Sequence, residues 1–256
     1  MITAAKDMYF KDADVLRWRQ NSEKFNPIFL KDIKAGEHQG GRRYFQLFED
    51  YKTQAVLAYL SGDEQGAQIN FLKAGNAYLQ LLQLPDVDVG YQNFVHYEAL
   101  LLPLLGNDRK LAEKIASAFG NRAPDAQDHP CLVHTSLSIK FAILNRKAEM
   151  QNELTALSRG PILKDMQAIV NLLQVLLKNQ KQEIDQAILE MLREFDIECR
   201  TQIKGLPESV ICVKGLGIIK LYAVLNGTIP IDLPMDTRLP NFFLSNSEKP
   251  EFEIDT

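Results

Sequence analysis

Residues Pro207 to Gly227 read PESVICVKGLGIIKLYAVLNG. Two apolar seams run along this stretch at helical spacing. Ile211, Gly215, Ile218, Tyr222 and Leu225 form one, and Val210, Val213, Gly217, Leu221 and Val224 lie beside it. Adjacent seams make the helix apolar around most of its circumference, so it belongs between neighbours rather than on a surface. Gly215 and Gly217 each cost such a helix roughly 1 kcal/mol relative to Ala, a cost that close approach of another backbone would offset. Pro207 and Glu208 suit a first turn, and Asn226-Gly227 suits a C-terminal stop. Beyond it, Pro230, Pro234 and Pro240 forbid helix. The same tail carries Ile231, Leu233, Met235, Leu239, Phe242, Phe243 and Leu244, too many apolar groups for a free end. The expectation is an extended, Pro-rich strap lying across the helices.

Working outward, the rest of the chain reads as helical hairpins. Asp12 to Leu30 starts as a helix that Pro27, Gly36, Gly40 and Gly41 should break up. In Arg42 to Leu60, Tyr44, Phe48, Tyr51, Ala55 and Tyr59 line one face. That spacing assigns the aromatic groups to core rather than to a base-stacking surface. Ser61-Gly62-Asp63 turns the chain into Glu64 to Leu84, where Pro85 ends the helix, and together these make a hairpin. Looser copies follow. Phe94–Leu105 pairs with Leu111–Phe119, Leu132–Leu144 with Ala148–Leu157, and Ile162–Leu177 with Ile184–Phe195. The leucines that close the first helix of each unit, and the last helix, are Leu60, Leu105, Leu144, Leu177 and Leu225. They lie 45, 39, 33 and 48 residues apart. A tetratricopeptide array would hold a period of about 34. The expectation is therefore one all-α domain of about ten helices in a degenerate hairpin stack. Residues 1–41 form its N-terminal helix and irregular lead-in, 42–227 its hairpins, and 228–256 its tail. No stretch alternates with period two, so no sheet is expected.

Composition excludes little. A net charge of −4 over 256 residues does not suit a nucleic-acid binder, and 46% hydrophobic content is ordinary. Cys131, Cys199 and Cys212 are odd in number and set among apolar neighbours, which fits free thiols in a reducing compartment. The N-terminal residues lack the apolar run of a secretory signal, and the final helix is too short and too charged to span a bilayer. A cytoplasmic protein is expected. Catalytic motifs are absent: there is no phosphate loop, HExxH or GxSxG, and Gly215-Leu216-Gly217 lacks a preceding strand. His129, Cys131 and His134 have the look of zinc ligands, but no fourth ligand accompanies them. A buried thiol with a capping or surface imidazole is the expected outcome. Cys with a nearby His could form a nucleophile and base, yet the orienting third group is missing. No catalytic residue, cofactor or metal is assigned.

The end of the chain carries a family resemblance. An apolar helix closing in Asn226-Gly227 is followed by Ile229-Pro230-Ile231-Asp232-Leu233 and then Leu239-Pro240-Asn241-Phe242-Phe243-Leu244. This resembles the closing pattern of the Imm49 family of bacterial immunity proteins, which neutralise toxins of polymorphic toxin systems. The Ala-rich hairpin Gln54 to Leu84 is similar to the family's early helices. The resemblance implies an intracellular, non-enzymatic protein that binds one cognate toxin domain and blocks it. A tetratricopeptide-like scaffold or regulatory adaptor binding a peptide is the alternative. An all-α enzyme without a recognisable motif is a third reading.

A binding surface can be placed from the hairpin stack. Turns inside hairpins share one edge, and the longer connections between hairpins share the other. Leu84–Tyr91 carries Asp86 and Asp88, and Gly120–Pro130 carries Asp125 and Asp128. Brought together, four carboxylates would face a basic partner surface, with Tyr91 as the apolar anchor.

Overall fold

The computed structural model describes residues 8–37, 39–228, 236–245 and 248–251. Among these there is no strand, and ten α-helices carry the architecture. They are α1 (Asp12–Lys34), α2 (Arg42–Leu60), α3 (Glu64–Gln83), α4 (Leu102–Leu105), α5 (Arg109–Ala118), α6 (Pro130–Ile143), α7 (Lys147–Arg159), α8 (Gln167–Leu177), α9 (Ile184–Thr201) and α10 (Val213–Asn226). The pairs α2–α3, α6–α7 and α8–α9 are antiparallel hairpins in mutual contact. The segment before α4 is a 3-10 run, Phe94–Leu100, rather than the α-helix expected from Phe94. Asn93 caps its start through Val95 N–H, and Pro103 permits helix only from its first turn.

Every hairpin turns the same way. Gly62, Asn107, Asn145 and Asn179 all adopt left-handed φ, between 55° and 81°. In each turn the next residue's N–H reaches back to the carbonyl five residues earlier. These bonds are Asp63 to Ala58 (2.9 Å), Asp108 to Pro103 (2.9 Å), Arg146 to Phe141 (2.8 Å) and Gln180 to Val175 (2.9 Å). The left-handed residue itself donates to the carbonyl three back. This is the Schellman closure, which satisfies the orphan carbonyls of a helix end. Asp63 and Asp108 then cap the following helix by accepting from Gly66 and Leu111 N–H. A repeated turn therefore underlies hairpins whose lengths differ.

Helix α10 lies at the centre, against α4, α6, α8 and the Phe94–Leu100 segment. Gly215 through Ala223 are all buried. The close approaches at the glycines come from side chains, not from a second backbone. A Cβ on Gly217 would stand 2.6 Å from Leu101 Cβ, and one on Gly215 would stand 2.5 Å from Met191 Sδ. The helix begins at Val213; Pro207–Ser209 is a separate 3-10 turn. Gly227 stops the helix with φ 73°.

Two expectations about the chain ends change. Helix α1 is not broken at Pro27 but runs through it to Lys34. The carbonyl that the missing N–H would otherwise have met belongs to Glu23, an exposed residue. In the tail, residues 229–235 lie outside the described residues, including Pro230, Ile231, Leu233, Pro234 and Met235. The part that is described turns rather than extends: Asn241–Phe243 is a 3-10 turn, with Leu239, Phe243 and Leu244 buried. Phe243 packs on Phe71 with centroids 5.3 Å apart, and Tyr59 Oη donates to Thr237 O at 2.8 Å.

Both ends also reach the last hairpin. Tyr9 Oη donates to Asp196 of α9, Gly205 N–H donates to Tyr9 O at 2.9 Å, and Trp18 Nε1 donates to Gly205 O at 3.2 Å. From the tail, Arg238 lies 3.7 Å from Asp196 and accepts Cys212 N–H through its carbonyl at 3.0 Å. The stack is thereby closed between its first and last hairpins.

Candidate functional site: an acidic edge

Contacts link the connections between successive units. Asp88 N–H, after α3, donates to Gly40 O, before α2, at 3.0 Å. Arg122, after α5, lies over the ring of Phe94 at 4.9 Å, and Phe94 meets Phe119 edge to face at 6.1 Å. The first contact joins the segment before α2 to the connection after α3, and the second joins that connection to the one after α5.

Their chemical states differ. Asp86 is exposed. Asp88 is also exposed and accepts Gly90 N–H at 2.8 Å, which starts the 3-10 turn Val89–Gln92. Asp125 is exposed and accepts Gln127 N–H at 2.8 Å. Asp125 also pairs with Arg122 at 3.5 Å, and Asp128 departs further from the expectation of an outward-facing carboxylate. Its side chain is 1% exposed and clamps Arg122 through two bonds, 2.7 and 2.6 Å, while also accepting Asp125 N–H at 2.9 Å. The Arg122 hydrogen bond holds this carboxyl below the usual carboxylate range. Asp128 shapes its loop, and its charge is cancelled locally.

Tyr91 is half-buried. Its ring stacks on Phe45 at 4.7 Å, and its carbonyl accepts Tyr78 Oη at 2.8 Å. Phe45 also meets His96 edge-on at 4.9 Å. Burial pushes the His96 imidazole below its ordinary value, with Glu98 opposing and Lys52 reinforcing the shift. Behind this aromatic group Lys52 bridges Glu49 (3.0 Å) and Glu98. Burial would raise the Glu98 carboxyl, but Lys52 and Lys214 overcome it and bring the group below the ordinary value. Glu49 goes the other way: burial raises it, against Lys52. A buried pair of this kind fixes geometry more than it adds stability.

Two further apolar groups are exposed here. Val89 is 56% exposed and Val95 42% exposed, both on the connection that carries Asp86, Asp88 and Tyr91. Val95 falls in Phe94–Leu105, expected as a helix; its segment is instead a 3-10 run and leaves it exposed. The only sequence signal was the Asn93 cap two residues earlier.

His129, Cys131 and His134 do not converge. His129 Nδ1 accepts Cys131 N–H at 3.2 Å as the cap of α6, Cys131 is buried, and His134 Nδ1 faces Glu153 Oε2 at 2.7 Å. Among the described residues no group of three His, Cys, Asp or Glu is placed to hold a metal, and no helix is long and apolar enough to cross a membrane. Comparison of the chain with family models, with curated proteins and with solved structures finds no match in any of the three.

Proposed function

We propose that this chain is an immunity protein, a non-catalytic binder that neutralises a cognate toxin domain in the bacterium producing both. The supporting observation is exposure: Asp86, Asp88 and Asp125 are exposed on two connections between helices, and one of these also carries exposed Val89 and Val95 and half-buried Tyr91. Carboxylates around apolar side chains suit a partner with a basic rim and an apolar centre. The charge speeds encounter and selects the partner, and the desolvated centre holds it. The resemblance of the closing residues to immunity proteins supports the same reading.

One feature weighs against the peptide-adaptor alternative. An adaptor of tetratricopeptide type uses an open concave face, whereas here α10 occupies the interior against α4, α6 and α8. That favours docking on an edge.

The test pairs the purified chain with the toxin domain encoded beside its gene. Inhibition should be stoichiometric, with an association rate that falls steeply as salt rises. Replacing Asp86, Asp88 and Asp125 together with Asn should slow association about 10-fold or more and flatten the salt dependence. Val89→Asp should speed dissociation. Undiminished protection by the combined variant would remove this edge from the reading, and inhibition below one chain per toxin would replace binding with catalysis.

A further inference from the structure

Helix α9 completes the last hairpin and packs chiefly on α8. Its inward face is buried through Ile188, Met191, Leu192 and Phe195. At about 100° per residue, Leu189, Arg193 and Ile197 fall on the opposite side, within about 60° of its midline. Leu189 is 43% exposed and Ile197 54% exposed. One exposed aliphatic side chain on a surface is ordinary. Here two of them stand four residues to either side of the same arginine.

The charges on this face lack partners on their own helix. Arg193 and Glu194 are exposed, and neither side chain makes an ion pair or hydrogen bond among the described residues. Residues three and four apart are neighbours on a helix surface, which explains the lack. Around Arg193 these neighbours are Leu189, Glu190, Asp196 and Ile197. Glu190 already accepts from Asn171 at 3.0 Å and from Gln186 at 2.8 Å. Asp196 is bonded to Tyr9 and paired with Arg200 at 2.9 Å. Around Glu194 the residues four away are Glu190 and Glu198, and like charges at that spacing repel. A stripe Leu189, Arg193, Ile197 thus runs beside an acidic row Glu190, Glu194, Glu198. Each has one of the two unpaired charges at its centre.

We propose that this face docks on the same face of a second copy of the chain, with the two α9 helices antiparallel about a two-fold axis near Arg193 and Glu194. In an isologous contact residue i meets j while j meets i. Turning the helix end for end exchanges Leu189 with Ile197. It also sets Arg193 of each copy against Glu194, the middle of the other copy's acidic row. Two apolar pairs then flank two ion pairs. A helix of 18 residues is about 27 Å long, so the contact sits at the low end of interface sizes and the dimer is weak. It shares no residue with the candidate acidic edge and holds or fails independently of the toxin reading.

The test is sedimentation velocity of the full chain between about 5 and 500 μM, with dimer expected at a Kd on the order of 10–100 μM. Arg193→Glu and Glu194→Arg should each weaken dimerisation at least about 10-fold, because each sets like charges across the axis. An equimolar mixture of these two variants should recover it, since unlike charges then meet twice. Docking of a foreign partner on this face would not produce that recovery. Leu189→Gln with Ile197→Gln should weaken the dimer as well. All four positions are exposed, and an unchanged circular dichroism spectrum checks that each variant keeps the fold. A monomer across the whole concentration range overturns the proposal. So does a dimer that survives these substitutions, or a charge-reversed mixture that stays monomeric.

Discussion

Gly217 illustrates how much one missing methyl group can settle. Leu101 Cβ occupies the space its side chain would need, at 2.6 Å from an ideal Cβ. Leu101 is itself fully buried and has no room to withdraw. Gly217→Ala is expected to cost about 1–3 kcal/mol through overpacking, outweighing any gain in helix propensity. A lower urea midpoint at unchanged m-value would show it. Glu98 sets a second expectation at this scale. Its folded value lies below its unfolded value, so its stabilisation is present above the unfolded carboxylate pKa of about 4.3 and is lost as pH falls through the folded value. Glu49 has the opposite sign, because its raised value lets the folded state gain stability as pH falls toward about 4.3. Stability should therefore peak in weak acid and fall below about pH 4. Glu98→Gln should flatten that acid limb in urea midpoints taken across the range.

Among elements, the hairpin turns divide what was legible from what was not. Ser61-Gly62-Asp63, Gly106-Asn107-Asp108 and Asn145-Arg146-Lys147 read directly as turns, because Gly and Asn tolerate left-handed φ and short polar runs interrupt apolar periodicity. Their identity as one closure did not, since the backbone bonds that define it leave no side-chain signature. Asn179 adds a tertiary bond: its Oδ1 accepts Tyr222 Oη at 2.9 Å, tying the α8–α9 turn to α10. Asn145 is exposed and makes no such bond. Asn179→Gly should thus cost roughly 1 kcal/mol, the worth of a hydrogen bond, while Asn145→Gly should be nearly neutral. Equal effects in thermal melts would mean that backbone conformation, not the Tyr222 bond, governs both. Helix α10 was legible from its two apolar seams; its start was not, because Val210, Ile211 and Cys212 are as buried as the helix they precede. Loop length and charge led to Asp86, Asp88 and Asp125 as exposed carboxylates, which they are. Asp128 was misjudged because its clamp by Arg122 spans six residues of irregular chain, which no periodicity reports.

For the whole molecule, Asp196 is where the two described chain ends converge, bonded by Tyr9 and paired with Arg238. Its carboxyl is raised by burial but held below the ordinary value overall by Tyr9 and the arginines Arg200 and Arg238. Asp196→Asn should cost about 1–3 kcal/mol, since these are hydrogen bonds to a charged group. In hydrogen exchange, residues 8–18 and 236–245 should lose protection together. Loosening of one end alone would show that the two contacts are independent. The enclosed position of α10 has a further consequence, in time rather than in energy. The chain is made from its N-terminus, so α4, α6 and α8 leave the ribosome before the helix that fills the space between them. Until Val213 to Asn226 emerges, the nascent chain holds an apolar slot with nothing to put in it. The first hairpins can form early from local contacts, but closure has to wait for nearly the whole chain. Chaperone engagement should therefore rise as synthesis passes α8 and fall only once α10 has docked.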